Sequence, residues 1–264
     1  MSQWRIMAPA KLTWSLQVGD RRADGFHELA AEMLTLDLAD ELVIDDELEG
    51  LDVDAASWAR AESIGDPAAN LIQRALTSVG RRAGVRLTKR IPIGGGLGGG
   101  SADAGAILRW AGVDDPAVAA TLGGDVAFCM RGGRAAVRGL GEVLEPLEDV
   151  EREVTLLIPP LFVDTGAVYR ALDELRVQGR GHDVRNDLTE PAEMVEPALV
   201  RWRQAFSEAS GAEVILAGSG STLFCEGTPA SMGLEEGRFE VDGASGWLLG
   251  ARSTPRSFGM PQPL

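Results

Sequence analysis

The chain has 264 residues, 45% hydrophobic and 25% charged, which excludes disorder, collagen and coiled coil as descriptions of the whole. Forty acidic against 25 basic residues leave a net charge of −15 with no basic cluster, so nucleic acid and anionic membranes are not expected as partners. Two distant cysteines, Cys129 and Cys225, and only two histidines exclude a disulfide framework and argue against structural zinc.

This length suits one large or two modest domains. No apolar run approaches the ~18–20 residues of a spanning helix. Arg5 and Lys11 interrupt the apolar start, so a signal peptide is not expected and a cytoplasmic setting is. Only two of the 25 basic residues are lysines, Lys11 and Lys89. A lysine kept at an apolar position, in a chain that otherwise uses arginine, points to a need for a compact ammonium.

In chain order, WRIMAPAKLTWSLQV (4–18) reads as strand, turn, strand, and GDRRADGFHEL (19–29) as a turn-rich loop. AEMLTLDLADELVID (31–45) reads as strand. PAANLIQRALTSVGRRAG (67–84) carries Leu71, Ile72, Ala75, Leu76 and Val79 at helical spacing. VRLTKRIPI (85–93) is a short strand, SADAGAILRWAG (101–112) a helix and DPAVAATLG (115–123) a second short helix. Strand-like pieces lie in GGRAAVRGLGEVLEPL (132–147).

The pattern restarts near Val150 with the buried strand REVTLLIPP (152–160), so a boundary is expected near Glu148–Glu153. Helices are expected around 167–177 and 193–209, and then a strand, Gly-Ser turn and strand in EVILAGSGSTLF (213–224). The tail from Thr228 to Leu264 is too weakly patterned to assign. Mixed strands and helices in this order indicate an α+β protein.

Six of the seven residues from Gly94 to Gly100 are glycine, Leu97 being the exception. A flexible linker joins polar ends, whereas this run lies between an apolar strand and a helix. Glycines there let backbone N–H groups converge on an anion, and a helix N-terminus adds its positive end, so a phosphate is the expected ligand. A Walker A loop would need Gly-Lys-Ser/Thr, and Gly100 is followed by Ser101 and Ala102. A Rossmann fingerprint is formally matched by Gly94, Gly96 and Gly99, with Asp114 and Asp115 downstream. The intervening sequence holds no second strand to carry that acid to a ribose, so this reading fails on context.

PAKLTWSL, PIGGGLGGGSADAG and LAGSGSTLF together resemble the three motifs of the GHMP kinase superfamily. DRRADGFHEL (20–29), GGDVAF (123–128), RGLGEVLEPL (138–147) and NDL (186–188) resemble the branch of it that phosphorylates the 2-hydroxyl of 4-diphosphocytidyl-2-C-methyl-D-erythritol with ATP, on the non-mevalonate route to isoprenoid precursors. The resemblance implies an N-terminal α/β lobe over residues 1–150 and a C-terminal ferredoxin-like lobe over 151–264, with the active site in the cleft between them. It implies ATP and Mg²⁺ as cofactors and a monomer or weak homodimer.

By the same resemblance Lys11 and Asp125 are the catalytic pair. Pro92, Ile93, Gly94, Gly95, Gly96, Leu97, Gly98, Gly99, Gly100, Ser101 and Ala102 form the ATP segment. Phe26 and Tyr169 match the two aromatic positions that sandwich the cytosine, His27 the one that bonds its edge, and Leu140 one whose backbone meets the base. Thr165, Gly218, Ser219 and Gly220 fall near the phosphates. Another small-molecule kinase of the superfamily, such as a homoserine or mevalonate kinase, and a non-catalytic nucleotide-binding relative are the alternatives.

The sequence departs from the pattern at Thr13, usually Asn, at Phe26, usually Tyr, and at Ala102, usually Ser. GGDVAF replaces the commoner Gly-Ala-Asp-Val-Pro-Phe, and the stretch from Ser101 to Asp125 is short. On residue type alone Asp125 could equally cap a helix.

Overall fold

Two strands of 19 residues each, β1 (Gln3–Arg21) and β2 (His27–Asp45), pair antiparallel through a tight turn around Gly25. A computed structural model of the chain describes residues 3–59 and 70–264. The turn expected inside the first segment is absent, and β1 runs through it. Pro9, which cannot donate to a ladder, sits at a register shift between Pro9 and Lys11, and two further shifts follow along the strand. Its alternation buries Ile6, Ala8, Ala10, Leu12 and Leu16 in the core.

β3 (Gly50–Ala55) is followed by α1 (Leu71–Ser78), whose first turn is capped by the Asn70 side chain, an oxygen that accepts from the Ile72 amide. Residues 67–69 of the expected helical segment lie outside the described residues. Next come β4 (Gly84–Lys89), α2 (Gly99–Trp110), α3 (Pro116–Ala120), α4 (Val126–Arg131), β5 (Arg134–Gly139) and β6 (Val143–Pro146). α2 begins at Gly99, two residues earlier than the composition suggests.

After β7 (Glu153–Ile158) come α5 (Thr165–Val177), α6 (Thr189–Val195) and α7 (Ala198–Ser210). The segment expected as one helix over 193–209 is two, because Pro197 cannot continue a helix across its own nitrogen and stands as the cap of α7. β8 (Ile215–Leu216) and β9 (Leu223–Glu226) flank the Gly-Ser turn. The unassigned tail forms β10 (Gly237–Val241), β11 (Ala244–Thr254) and β12 (Gln262–Pro263).

The main strand order is β12-β1-β2-β11-β7-β9-β8, and all pairings among the described strands are antiparallel except β3 with β4. The class is α+β, as expected. β2 is the hub, pairing also with β4 and β5. β11 bridges early and late parts of the chain, with Trp247–Arg252 on β7 and Ser253–Thr254 on β2.

α2 packs on β1 between α1 and α4. Its small residues permit that, since a Cβ on Gly105 would lie 2.7 Å from the Met130 nitrogen of α4. The buried Arg109 guanidinium holds the helix in place by donating to the carbonyls of Met7 (3.0 Å), Gly259 (2.8 Å) and Cys129. Burial pulls its pKa down to about 10. No helix among the described residues is long and apolar enough to cross a membrane.

Candidate active site

A cleft of about 780 Å³ opens along the glycine loop. The loop ends at Gly98, whose left-handed backbone (φ +68) caps α2 without any side-chain hydrogen bond. The first amides of α2, at Gly99, Gly100 and Ser101, therefore have no capping group, and all three residues line the cleft. The N-terminus of this twelve-residue helix carries the positive end of its dipole, which favours anions.

The loop is held by close packing. A Cβ on Gly96 would stand 2.1 Å from the Ala217 carbonyl oxygen, and the Thr222 amide donates to Gly95 at 3.1 Å. The glycine run of the first half and the AGSGS turn of the second thus fit backbone to backbone. Asn186 secures that turn, donating to the carbonyls of Leu216 (2.9 Å) and Gly218 (2.7 Å). The NDL motif drew attention by resemblance alone, and this clamp gives it a physical role.

Lys11 rises from β1 at the register shift, 5% exposed, and its amide donates to the Leu97 carbonyl at 3.0 Å. Its stem lies under Gly98, where a Cβ would meet it at 2.7 Å. The ammonium donates to Thr13 Oγ1 at 3.1 Å and lies 3.3 Å from Asp125 Oδ2. Asp125 occupies the cap position of α4, yet its side chain makes no capping hydrogen bond. The carboxylate, about a third exposed, is turned instead to Lys11 and the cleft.

The remaining expected residues divide into two groups. Pro92, Ile93, Gly94, Gly95, Gly96, Leu140, Thr165, Tyr169, Gly218, Ser219 and Gly220 line the cleft. Thr165 and Ser219 meet through their hydroxyls at 2.9 Å, joining the start of α5 to the Gly-Ser turn. Leu97 and Ala102 point into the core, both fully buried. Phe26 is 62% exposed on the β1–β2 turn, and neither it nor His27 lines the cleft. The His27 ring stacks beside Tyr169, with centroids 5.6 Å apart and planes at 25°. Burial raises the Tyr169 hydroxyl to about 12, so it stays protonated.

Among the cleft-lining residues that the sequence reading did not assign to the site are Asn70, Lys89, Asp103 and Phe162. Lys89 bonds Asp40 and, at 2.8 Å, Asp103 Oδ2, all three groups buried. Asp40 also accepts from the amides of Arg90 and Ile91, the latter at 2.8 Å, and Asp103 Oδ1 is buried without a partner. Burial would depress the Lys89 ammonium, but the two carboxylates outweigh it and hold its pKa above the ordinary value. Burial pushes Asp103 up to about 7 against the pull of Lys89, with the Asp40 charge adding to the rise. Lysine scarcity was the one signal that could have found this site.

The GHMP kinases N terminal domain matches residues 67–133. A 4-diphosphocytidyl-2-C-methyl-D-erythritol kinase of Paracoccus denitrificans is 34% identical over 237 residues, covering 83% of this chain and 85% of the relative. The enzyme of the same name from Thermus thermophilus is 37% identical over 240 residues, covering 83% and 86%. A crystal structure of a 4-(cytidine 5'-diphospho)-2C-methyl-D-erythritol kinase superposes with a TM-score of 0.68 at 32% identity, over 95% of this chain and 99% of that one. The mevalonate kinase of L. major shares the fold at a TM-score of 0.63 and 14% identity, over 95% and 96% of the two chains.

Proposed function

The chain belongs to the 4-diphosphocytidyl-2-C-methyl-D-erythritol kinase family, and we propose that it works as those enzymes are named, with Asp125 as base and Lys11 as its partner. It is an ATP-dependent small-molecule kinase, transferring the γ-phosphoryl group to the 2-hydroxyl of that substrate. The observation that carries the assignment of residues is the Asp125 side chain, which forgoes its helix cap to face Lys11 beside the bare amides of α2.

Phosphoryl transfer asks for positioning and charge neutralisation more than covalent catalysis. The substrate hydroxyl oxygen attacks the γ-phosphorus as the bond to the ADP oxygen breaks, and the hydroxyl proton passes to Asp125. Lys11, held by Thr13 and by its packing under Gly98, orients the hydroxyl and offsets negative charge in the transition state. The amides of Gly99, Gly100 and Ser101 take the phosphates of ATP. In a protein of net charge −15 these groups, with Mg²⁺, provide the local positive field.

Among the described residues no cluster of three His, Cys, Asp or Glu side chains could hold a metal ion. Mg²⁺ would come with ATP, and the Ser101 hydroxyl would be this chain's contribution to holding it. The cation supplies charge neutralisation at the transferred group. The cytoplasm, where ATP is at hand, is the fitting compartment.

The test is ADP release with Mg-ATP and 4-diphosphocytidyl-2-C-methyl-D-erythritol, for the wild type, Asp125→Ala and Lys11→Ala. Turnover by the wild type and a fall of about 10² or more in kcat for each variant, ~2.7 kcal/mol of barrier, are expected. A folded, ATP-binding wild type that releases no ADP would overturn the reading.

A further inference from the structure

We propose that Glu142 is a positioning residue for Asp125: it fastens the turn of residues 139–142, and the backbone that carries Asp125 is seated on that turn. This role rests on the proposed function, in which Asp125 takes the hydroxyl proton.

Among the described residues the Asp125 carboxylate has one ion pair, with Lys11 at 3.3 Å, and it makes no capping hydrogen bond on α4. Its aim is therefore set by the backbone that bears it. Gly123 and Gly124, just before it, have no side chains with which to pack, so that backbone is fixed from outside. On one side it is tied to α4, where the Val126 amide donates to the Gly123 carbonyl at 3.1 Å and the Cys129 amide to that of Asp125 at 3.0 Å.

On the other side it meets the hairpin of β5 and β6. A Cβ on Gly124 would lie 3.1 Å from the Leu140 carbonyl oxygen, and one on Gly141 would lie 2.5 Å from the Gly124 carbonyl oxygen. Two backbones touch there with no side chain between them, and Gly124, Asp125 and Leu140 all line the cleft. Close-packed contacts of this kind transmit displacement.

The hairpin turn is held by Glu142. Arg138 pairs with Val143, which leaves residues 139–142 to reverse the chain. Gly139 and Gly141 both take left-handed backbone, φ +70 and +114. Glu142 is exposed, yet its carboxylate folds back into the turn, where Oε2 accepts from the Leu140 amide at 2.6 Å. A Cβ on Gly139 would lie 2.5 Å from Oε1, so the turn closes around this carboxylate. A bond from a backbone amide to an ionised acceptor is among the stronger ones. The hairpin is anchored in turn on β2, with Ala30 opposite Arg138 and Leu29 opposite Gly139. A chain of contacts thus runs from the central strand through Glu142 and Gly124 to the carboxylate of Asp125. A reacting group misplaced by about 1 Å loses up to about 10²-fold in rate, and loosening one bond of this chain is expected to cost about tenfold.

The experiment is steady-state kinetics with Mg-ATP and the diphosphocytidyl substrate on the wild type, Glu142→Ala, Glu142→Gln and Gly141→Ala, with a thermal melt and a crystal structure of each. Glu142→Ala is expected to lower kcat about tenfold with KM for ATP within about twofold. Glu142→Gln keeps an acceptor oxygen for the Leu140 amide and should recover most of that loss. Gly141→Ala leaves Glu142 in place and presses on the Gly124 carbonyl directly, so kcat should fall at least as far. A Glu142→Ala protein with a lower melting temperature and an unchanged kcat would overturn the proposal, as would a Gln variant as slow as the Ala variant. If Glu142→Ala does not fold, a wild-type kcat in Gly141→Ala overturns it. The crystal structures decide without turnover. An Asp125 carboxylate still beside Lys11 in the variants would sink the positioning role, whereas a displaced one supports it even if the wild type phosphorylates nothing, a result that would sink the kinase reading alone.

Discussion

The two lysines of this chain pack against neighbouring glycines of the same loop. Both are buried on strands, and both are pressed by a glycine, Lys11 by Gly98 and Lys89 by Gly99. Lys11 has one carboxylate at 3.3 Å, partly open to the cleft, and a neutral hydroxyl. Lys89 has two buried carboxylates at hydrogen-bond distance. The ammonium of Lys11 is thus left with charge to spend on a ligand, whereas that of Lys89 is committed to holding β4, β2 and α2 together. Burial alone does not separate a working lysine from a structural one; the count and closeness of its counter-ions do.

Lys89→Met should produce the largest effect. It leaves Asp40 and Asp103 buried without their cation, a loss of about 3–5 kcal/mol, and the melting temperature should fall on the order of 10 °C. Lys11→Met should do the opposite, losing turnover with little change in melting temperature. Equal melting shifts in the two variants would break the distinction.

Thr13→Val sharpens the Lys11 side. It keeps shape and removes the hydroxyl that accepts from the ammonium, so kcat should fall by about fivefold, ~1 kcal/mol. An unchanged kcat would show that Asp125 alone orients the lysine.

Asp103→Asn probes the Lys89 side by pH. The Asp103 pKa is raised to about 7 from 3.8, so between those values the folded state holds more protons than the unfolded one. The group's contribution to stability therefore declines as pH rises through that window. The variant, having nothing to titrate, should show a smaller drop in melting temperature from pH 5 to pH 7.5 than the wild type. An equal drop would mean that Asp103 ionises freely beside Lys89.

Local features were the legible ones. The glycine run between strand and helix could be read from its own composition and flanks, whereas Lys11 and Asp125 were paired only through the resemblance of the short motifs that hold them. The Lys89 cluster escaped because Asp40 is 49 residues away in sequence and the pairing leaves no local mark. The continuous β1 was misread as two strands because Pro9 suggests a turn when the register shift that accommodates it is not visible. The tail looked patternless because β11 is buried by partners on two different strands, β7 and β2, and so lacks a single alternation.

The fit of Gly96 against the Ala217 carbonyl has a consequence for modularity. A fragment ending near residue 150 would contain every residue of the glycine loop and still lack the surface that shapes it. Grafting the motif into another scaffold would fail for the same reason unless the AGSGS turn and its Asn186 clamp travelled with it. The heritable unit of nucleotide binding here is a pair of turns more than a hundred residues apart, and recombination that separates them destroys both.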